Sequence, residues 1–276
     1  MVYSAIMEWV DAIVLGLVQG ITEFLPVSSS GHLVLVRDWL STGAEMDFLA
    51  FDAVLHFATT GAVILYFRQD IWNLLQVALR KLGRLPVNQR DITLLYALVI
   101  GTIPASILGF FLESVITEYL RTPVFVAIVL FLVSIFFMYA EWRYYLAPAH
   151  GEMTLKHGFL VGVFQALALI PGMSRSGATI AGGMLLGLSR YEATRFSFLL
   201  AIPITLAAGA KKSLDLLEQG ATVDWLLIGA GAGVAFITAL IVIHFFLNFI
   251  RKYTLWPFVW YGIILAGMVG YVTLFT

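Results

Sequence analysis

The chain has no cysteine in its 276 residues. That excludes disulfides, thiolate metal ligands and thiol nucleophiles, and it leaves the redox compartment unread. Charge is also scarce: Asp, Glu, Lys and Arg make up 12% of the residues, against roughly 25% in a soluble domain. The net charge of −1 provides no basic stripe, so no nucleic acid partner is expected. No cleavable signal is expected either, because the apolar run Ala12 to Leu25 contains Gln19 and Glu23 and lacks a basic stretch ahead of it. What the chain does have is apolar surface, with 61% hydrophobic residues and a mean hydropathy of +0.93. Its fold class is therefore an all-α polytopic membrane protein surrounded by membrane lipid, a single membrane domain over 1–276. Tyr66, Trp72, Tyr139, Trp142, Trp225 and Trp256 lie near expected span ends, as an interfacial aromatic belt requires.

A bilayer crossing needs about 20 residues at 1.5 Å rise. Six stretches qualify: 50–67, 91–112, 122–142, 192–211, 225–248 and 254–275. Two further apolar regions, 5–41 and 155–188, are interrupted near the middle by Pro, Gly and Ser. Each half is short for a crossing, which predicts two re-entrant helix pairs in addition to the six transmembrane helices. Arg68, Arg80, Lys81, Arg84 and Arg90 fall in one connection and place 68–90 in the cytoplasm by the positive-inside rule. Residues 143–157 and Arg251-Lys252 then fall inside as well; Lys211-Lys212 is discordant. In this frame the two broken segments enter from opposite faces and their tips meet near the midplane.

A shift of 146 residues aligns Gly16 with Gly162, Gln19 with Gln165, Ser28 with Ser174, Ser30 with Ser176 and Gly31 with Gly177. Three spans follow each unit, and an odd number forces opposite orientations. The expectation is an inverted-topology repeat, with repeat one at about 1–142 and repeat two at about 150–276.

The polar residues in these apolar regions carry the functional reading. Arginine in the hydrocarbon core costs from about 2.5 to over 10 kcal/mol, so Arg175 needs an anionic partner. Gly16, Gln19, Gly20 and Glu23 share one helix face. A carboxylate there takes a cation or a proton, or forms a structural ion pair with Arg175. Ser28, Ser29, Ser30, Gly31 and His32 open a returning half-helix, and Ser174, Arg175, Ser176, Gly177 and Thr179 repeat the arrangement. Hydroxyls at such positions are ordinary N-caps, but helix N-termini also suit phosphate oxygens, and the guanidinium fork matches phosphate geometry. The constellation is an oxyanion site, and with His32 and a serine beside a base it fits phosphoryl transfer.

Other polar residues read more plainly. Asp52 and His56 at i, i+4 face the bundle interior, as a structural hydrogen bond or as support behind the site. Arg190, Glu192 and Arg195 are interfacial anchors, and His150, His157 and His244 are solvated or capping. Gly229 to Gly233 is small-residue helix packing, within the chain or between the protomers of a homodimer. Pro203 kinks its span.

The run Gln19-Gly20-Ile21-Thr22-Glu23-Phe24-Leu25-Pro26-Val27-Ser28-Ser29-Ser30-Gly31-His32 and the run Pro171-Gly172-Met173-Ser174-Arg175-Ser176-Gly177-Ala178-Thr179 closely resemble two signature motifs. They are those of the bacterial undecaprenyl-diphosphate phosphatases of the bacitracin-resistance type, and the resemblance extends to length, span count and motif separation. It implies hydrolysis of undecaprenyl diphosphate to the monophosphate, recycling a lipid carrier for cell-wall synthesis and conferring bacitracin resistance. It also implies a divalent cation, Mg²⁺ or Ca²⁺, and an active site open to the periplasmic face of the bacterial inner membrane. The family has Glu or Gln at the position of Gln19. With Gln19 here, Glu23 is the only carboxylate of that pair, and the diphosphate oxygens must supply more of the cation's ligands.

Carried onto this sequence, the family's basic residue is Arg175, its histidine His32 and its serine Ser29. Arg175 and the two helix N-termini would hold the diphosphate, with Ser28, Ser30, Gly31, Ser174, Ser176, Gly177 and Thr179 around it. Glu23, helped by Gln19, would carry the metal or act as base. Ser29 or His32 would attack phosphorus while the other moves the proton; a covalent phospho-enzyme and direct attack by water both stay open. The competing reading is a polyprenyl-phosphate transporter or flippase built on the same inverted repeat. Acid-phosphatase-like lipid phosphatases are excluded, because no histidine follows Ser174-Arg175 before His244.

Overall fold

The computed structural model describes residues 2–40, 48–119, 122–147, 151–219 and 224–275. Among these residues there is no strand, and the chain runs through eleven helices. They are α1 (Val2–Thr22), α2 (Ser29–Leu40), α3 (Phe48–Tyr66), α4 (Arg68–Leu82), α5 (Gln89–Tyr119), α6 (Pro123–Leu146), α7 (Leu155–Leu167), α8 (Arg175–Leu185), α9 (Arg190–Gln219), α10 (Trp225–Ile250) and α11 (Trp256–Phe275). Several starts are written in the sequence. The Thr122 hydroxyl accepts from the Phe125 amide with Pro123 in the first turn, Thr154 accepts from the His157 amide, and Asp224 accepts from the amides of Leu226 and Leu227.

Five helices are long and apolar enough to cross a membrane among the described residues: Gln89–Leu112 of α5, α6, Arg190–Lys211 of α9, α10 and Trp256–Thr273 of α11. The sixth expected span, 50–67, coincides with α3, whose apolar stretch Phe51–Tyr66 is shorter than such a crossing. The charged connection after it, expected as a loop, holds a helix. On α4 the exposed Trp72, Leu75, Leu79 and Leu82 form one stripe, and Arg80 and Lys81 stand beside it, as in a helix lying in a membrane interface. The two interrupted apolar regions are broken where expected: α1 and α2 are separated by residues 23–28, and α7 and α8 by 168–174.

Packing centres on close backbone crossings. α1 lies against α10, and a Cβ on Gly16 would come 2.4 Å from the carbonyl oxygen of Gly231. α7 lies against α5, and a Cβ on Gly162 would come 2.3 Å from the carbonyl oxygen of Gly101. Small residues allow helices in lipid to touch along their backbones. α6 pairs with α11, α3 packs between α9 and α10, and α8 is enclosed by α6, α7 and α9. Beneath the first break a core of Phe24, Phe67, Phe198, Ile243 and Phe246 closes, with Phe24 and Phe198 edge to face at 5.1 Å.

Candidate active site

Each broken segment turns at a serine held in a conformation that a side chain resists. Ser28 has φ of 68° and Ser174 has φ of 58°, and such left-handed residues concentrate where the surrounding fold imposes them. The two turns are built alike. Ser28 Oγ accepts from the Gly31 amide at 3.3 Å and lies 3.5 Å from Ser30 Oγ. Ser174 Oγ accepts from the Gly177 amide at 3.3 Å and lies 3.4 Å from Ser176 Oγ. The N–H groups of Ser29 and Ser30, and of Arg175 and Ser176, belong to first turns, where a helix offers no acceptor of its own. Glycine at position 177 is obligatory, since a Cβ there would stand 1.8 Å from Cζ of Phe137 on α6.

The turns meet. Ser176 Oγ donates to the carbonyl oxygen of Leu25 at 3.0 Å, and an Arg175 nitrogen donates to Glu23 Oε1. Glu23 Oε2 accepts from Ser29 Oγ at 2.7 Å and from Gln19 Nε2 at 2.9 Å. His56 brings Nε2 to 3.5 Å from the same oxygen, and its Nδ1 is 2.8 Å from the Asp52 carbonyl. Glu23 is buried, so this carboxylate depends on its donors rather than on water. Two polar atoms stay unsatisfied in the cluster: the other terminal nitrogen of Arg175 and the Oε1 oxygen of Gln19 are buried with no hydrogen-bond partner. A buried guanidinium N–H without an acceptor, between two helix N-termini, is a place for an anion.

Most of the residues expected from the sequence are thus brought together: Gln19, Glu23, Ser28, Ser29, Ser30 and Gly31 with Ser174, Arg175, Ser176 and Gly177. Two side chains turn elsewhere. The Thr179 hydroxyl bonds the carbonyl oxygens of Arg175 and Ser176 and lies 2.6 Å from Ser197 Oγ, tying α8 to α9. His32 brings Nδ1 to 2.8 Å from the Ser28 carbonyl and Nε2 to 2.6 Å from the Tyr261 hydroxyl, with the two rings stacked. Tyr261 gives no signal in the sequence, since tyrosines at lipid-facing positions are common. His56, read in the sequence with Asp52 as a structural hydrogen bond or as support behind the site, lies against the Glu23 carboxylate.

Of the anchors expected at the start of α9, Glu192 is exposed, while Arg190 and Arg195 are partly buried in ion pairs. Arg190 grips Glu141 through Nε at 2.9 Å and a terminal nitrogen at 2.5 Å, while the Leu255 amide donates to the same carboxylate at 2.6 Å. Arg195 pairs with Asp70 of α4. Within the Gly229 to Gly233 run, Gly231 makes the crossing with α1, whereas Gly229 and Gly233 face open space.

A cation would have few protein ligands, because no group of three His, Asp or Glu residues is placed to hold a metal among the described residues. Glu23 with the unpartnered Oε1 of Gln19 is the oxygen pair available. That sparse set fits Mg²⁺ or Ca²⁺ shared with phosphate oxygens better than a site made by protein alone.

The family described as bacitracin resistance protein BacA matches residues 12–268. A protein of Idiomarina loihiensis named undecaprenyl-diphosphatase is 44% identical over 266 residues, covering 94% of this chain and 97% of its own. Proteins of the same name from Chromohalobacter salexigens and Saccharophagus degradans are each 41% identical, over 94% and 95% of this chain and 97% of their own.

Proposed function

Because the chain belongs to the family of the bacitracin resistance protein BacA, we propose that it is a membrane hydrolase that cleaves undecaprenyl diphosphate to undecaprenyl phosphate and inorganic phosphate. The observation that carries this reading is the buried Glu23–Arg175 pair, with a spare guanidinium nitrogen between two like helix N-termini. Arg175 and the first-turn amides hold the diphosphate, while the Ser28 and Ser174 hydroxyls fix the two turns that present those amides. Ser29 is the nucleophile that the geometry favours, since its hydroxyl already donates to Glu23. Its Oγ bonds to the terminal phosphorus, the bridging P–O bond breaks toward the lipid phosphate, and the hydroxyl proton passes to Glu23. Water then attacks the phosphoserine, displacing the Tyr261 hydroxyl from Nε2 of His32 and giving that nitrogen a proton; Glu23 returns its proton to Ser29 as phosphate leaves, and His32 releases its proton to solvent. A divalent cation held by Gln19 and substrate oxygens, with Glu23 as a further ligand only while it is unprotonated, would neutralise charge developing on the diphosphate.

The architecture that serves this reaction is an inverted-topology repeat, with repeat one at about 1–142 and repeat two at about 150–276. Its support is the matched geometry at Ser28 and Ser174, and the paired glycine crossings of α1 on α10 and α7 on α5. In this reading α3 is the sixth crossing, and α1–α2 and α7–α8 are re-entrant. The protein lies in the bacterial inner membrane with the site open to the periplasm, an orientation supported by the basic residues of α4. The open faces of Gly229 and Gly233 suit contact between the protomers of a homodimer.

The test uses purified full-length protein in detergent, where no transbilayer gradient exists. With Mg²⁺ or Ca²⁺ it releases phosphate from an isoprenyl diphosphate. The reading is lost if no phosphate appears while Arg175→Ala binds the lipid as the unmodified protein does.

A further inference from the structure

His32 and Tyr261 are 229 positions apart and lie on α2 and α11, yet their side chains make a hydrogen bond of 2.6 Å and stack with ring centroids 5.7 Å apart. The other ring nitrogen of His32 fixes what this bond is. A backbone carbonyl has no hydrogen to give, so Nδ1, 2.8 Å from the Ser28 carbonyl oxygen, carries the proton. In the neutral ring Nε2 is then a lone pair, and the Tyr261 hydroxyl donates to it. The ring is held at both nitrogens and across its face. The bond to Ser28 comes from the same residue that makes the first left-handed turn, so the imidazole is referenced to that turn.

Tyr261 is itself exposed on α11. The position of α11 is set independently of the site, because the Leu255 amide at its approach is bonded to the buried Glu141–Arg190 pair. A rigid support therefore presents a phenol to the one nitrogen on which a base would act.

We propose that Tyr261 is a positioning residue for the hydrolytic step. It holds the ring of His32, whose Nδ1–H tautomer Ser28 already fixes, so that Nε2 points at the place its hydroxyl occupies at rest and the attacking water takes in turnover. The inference rests on the phosphatase reading, through the role that reading gives His32. Loss of the tyrosine hydroxyl leaves substrate binding alone, because the diphosphate ligands are on α1, α2 and α8, and slows the step that needs an oriented base.

The experiment compares Tyr261→Phe, which keeps the stacked ring, with the lipid-facing control Trp260→Phe, in full-length protein in detergent. Two quantities are read: steady-state turnover of an isoprenyl diphosphate, and the ¹⁵N shifts of labelled histidine rings, with His32 identified by the signal absent from His32→Gln. The expected result for Tyr261→Phe is a kcat lower by about tenfold or more with KM within about twofold, together with a shift of the His32 Nε2 resonance as its hydrogen-bond donor is lost, the Nδ1–H tautomer being kept by Ser28. Trp260→Phe keeps both. Unchanged kcat in Tyr261→Phe overturns the proposal, as does a loss confined to KM or a loss of kcat with the His32 pattern intact. Full activity in His32→Gln removes the base and the proposal with it. No turnover by the unmodified protein removes the phosphatase reading, and the ¹⁵N pattern still decides separately whether Tyr261 donates to Nε2.

Discussion

Ser29 donates its hydroxyl hydrogen to Glu23 across 2.7 Å, and the same carboxylate receives Arg175 on its other oxygen. The proposed nucleophile, its proton acceptor and the proposed anion ligand are thus linked through one side chain six residues before the serine. This compactness makes the roles separable by substitution.

Ser29→Ala is expected to lower turnover by about a thousandfold or more, the scale seen when a nucleophile is removed. Ser30→Ala, at an exposed hydroxyl 3.5 Å from Ser28, should cost less than about tenfold by the same measure. Phosphate release under saturating substrate checks both. Acid quenching of the unmodified protein on ³²P-labelled substrate should leave acid-stable label on serine, absent from Ser29→Ala.

Glu23→Gln strands the Arg175 guanidinium in a buried site. Breaking a buried pair from one side costs about 3–5 kcal/mol, so the variant should unfold at lower temperature as well as lose turnover. Arg175→Ala alone should show the same signature. The double variant should recover stability but no activity, as read by thermal unfolding and phosphate release.

Gly177→Ala forces a methyl group into Phe137. Overpacking costs about 1–3 kcal/mol and more where backbone is fixed. The methyl has no space unless the ring retreats, so Phe137→Leu should restore part of the lost stability. Equal melting temperatures for Gly177→Ala and the unmodified protein would contradict the packing described.

Chelating divalent cations should stop phosphate release, and adding Mg²⁺ or Ca²⁺ should restore it. Melting of the substrate-free protein should hardly change, because Glu23 and Gln19 provide too few ligands to bind a cation tightly before the diphosphate arrives. A large loss of stability on chelation would place the cation in the resting fold instead.

Arg190→Ala should destabilise by about 3–5 kcal/mol, because it leaves the Glu141 carboxylate buried, while a matched apolar pair at 141 and 190 should be near neutral. Chemical or thermal unfolding of the two variants beside the unmodified protein measures this.

What could be read in the sequence was what periodicity and chemical cost determine. An arginine and a glutamate in apolar surroundings had to be paired, and Glu23 and Arg175 are. The serine-rich breaks had to be turns, and Ser28 and Ser174 are the two left-handed ones. Contacts between distant helices left no such mark. Nothing local distinguishes Tyr261 from a lipid-facing tyrosine or Glu141 from an interfacial acid; each acquires its meaning only when α11 brings Tyr261 to His32 of α2 and the start of α9 brings Arg190 to Glu141 of α6. The helix α4 was obscured by its charges, which suggested a loop although the apolar stripe runs through them. Thr179 stood in the right motif, but the helix turn carries its hydroxyl toward α9.

The two left-handed serines have a thermodynamic consequence. A residue with a side chain in that conformation costs on the order of 1–2 kcal/mol, which the local bond from each serine hydroxyl to the Gly31 or Gly177 amide offsets only in part. The remainder comes from the rest of the protein: the wall of α6 against Gly31 and Gly177, and the fastening of one turn to the other through Leu25 and Ser176. The paired turns therefore have little stability of their own to lose. On heating or in harsh detergent, turnover and global structure should disappear in a single transition, with no inactive but folded species between them.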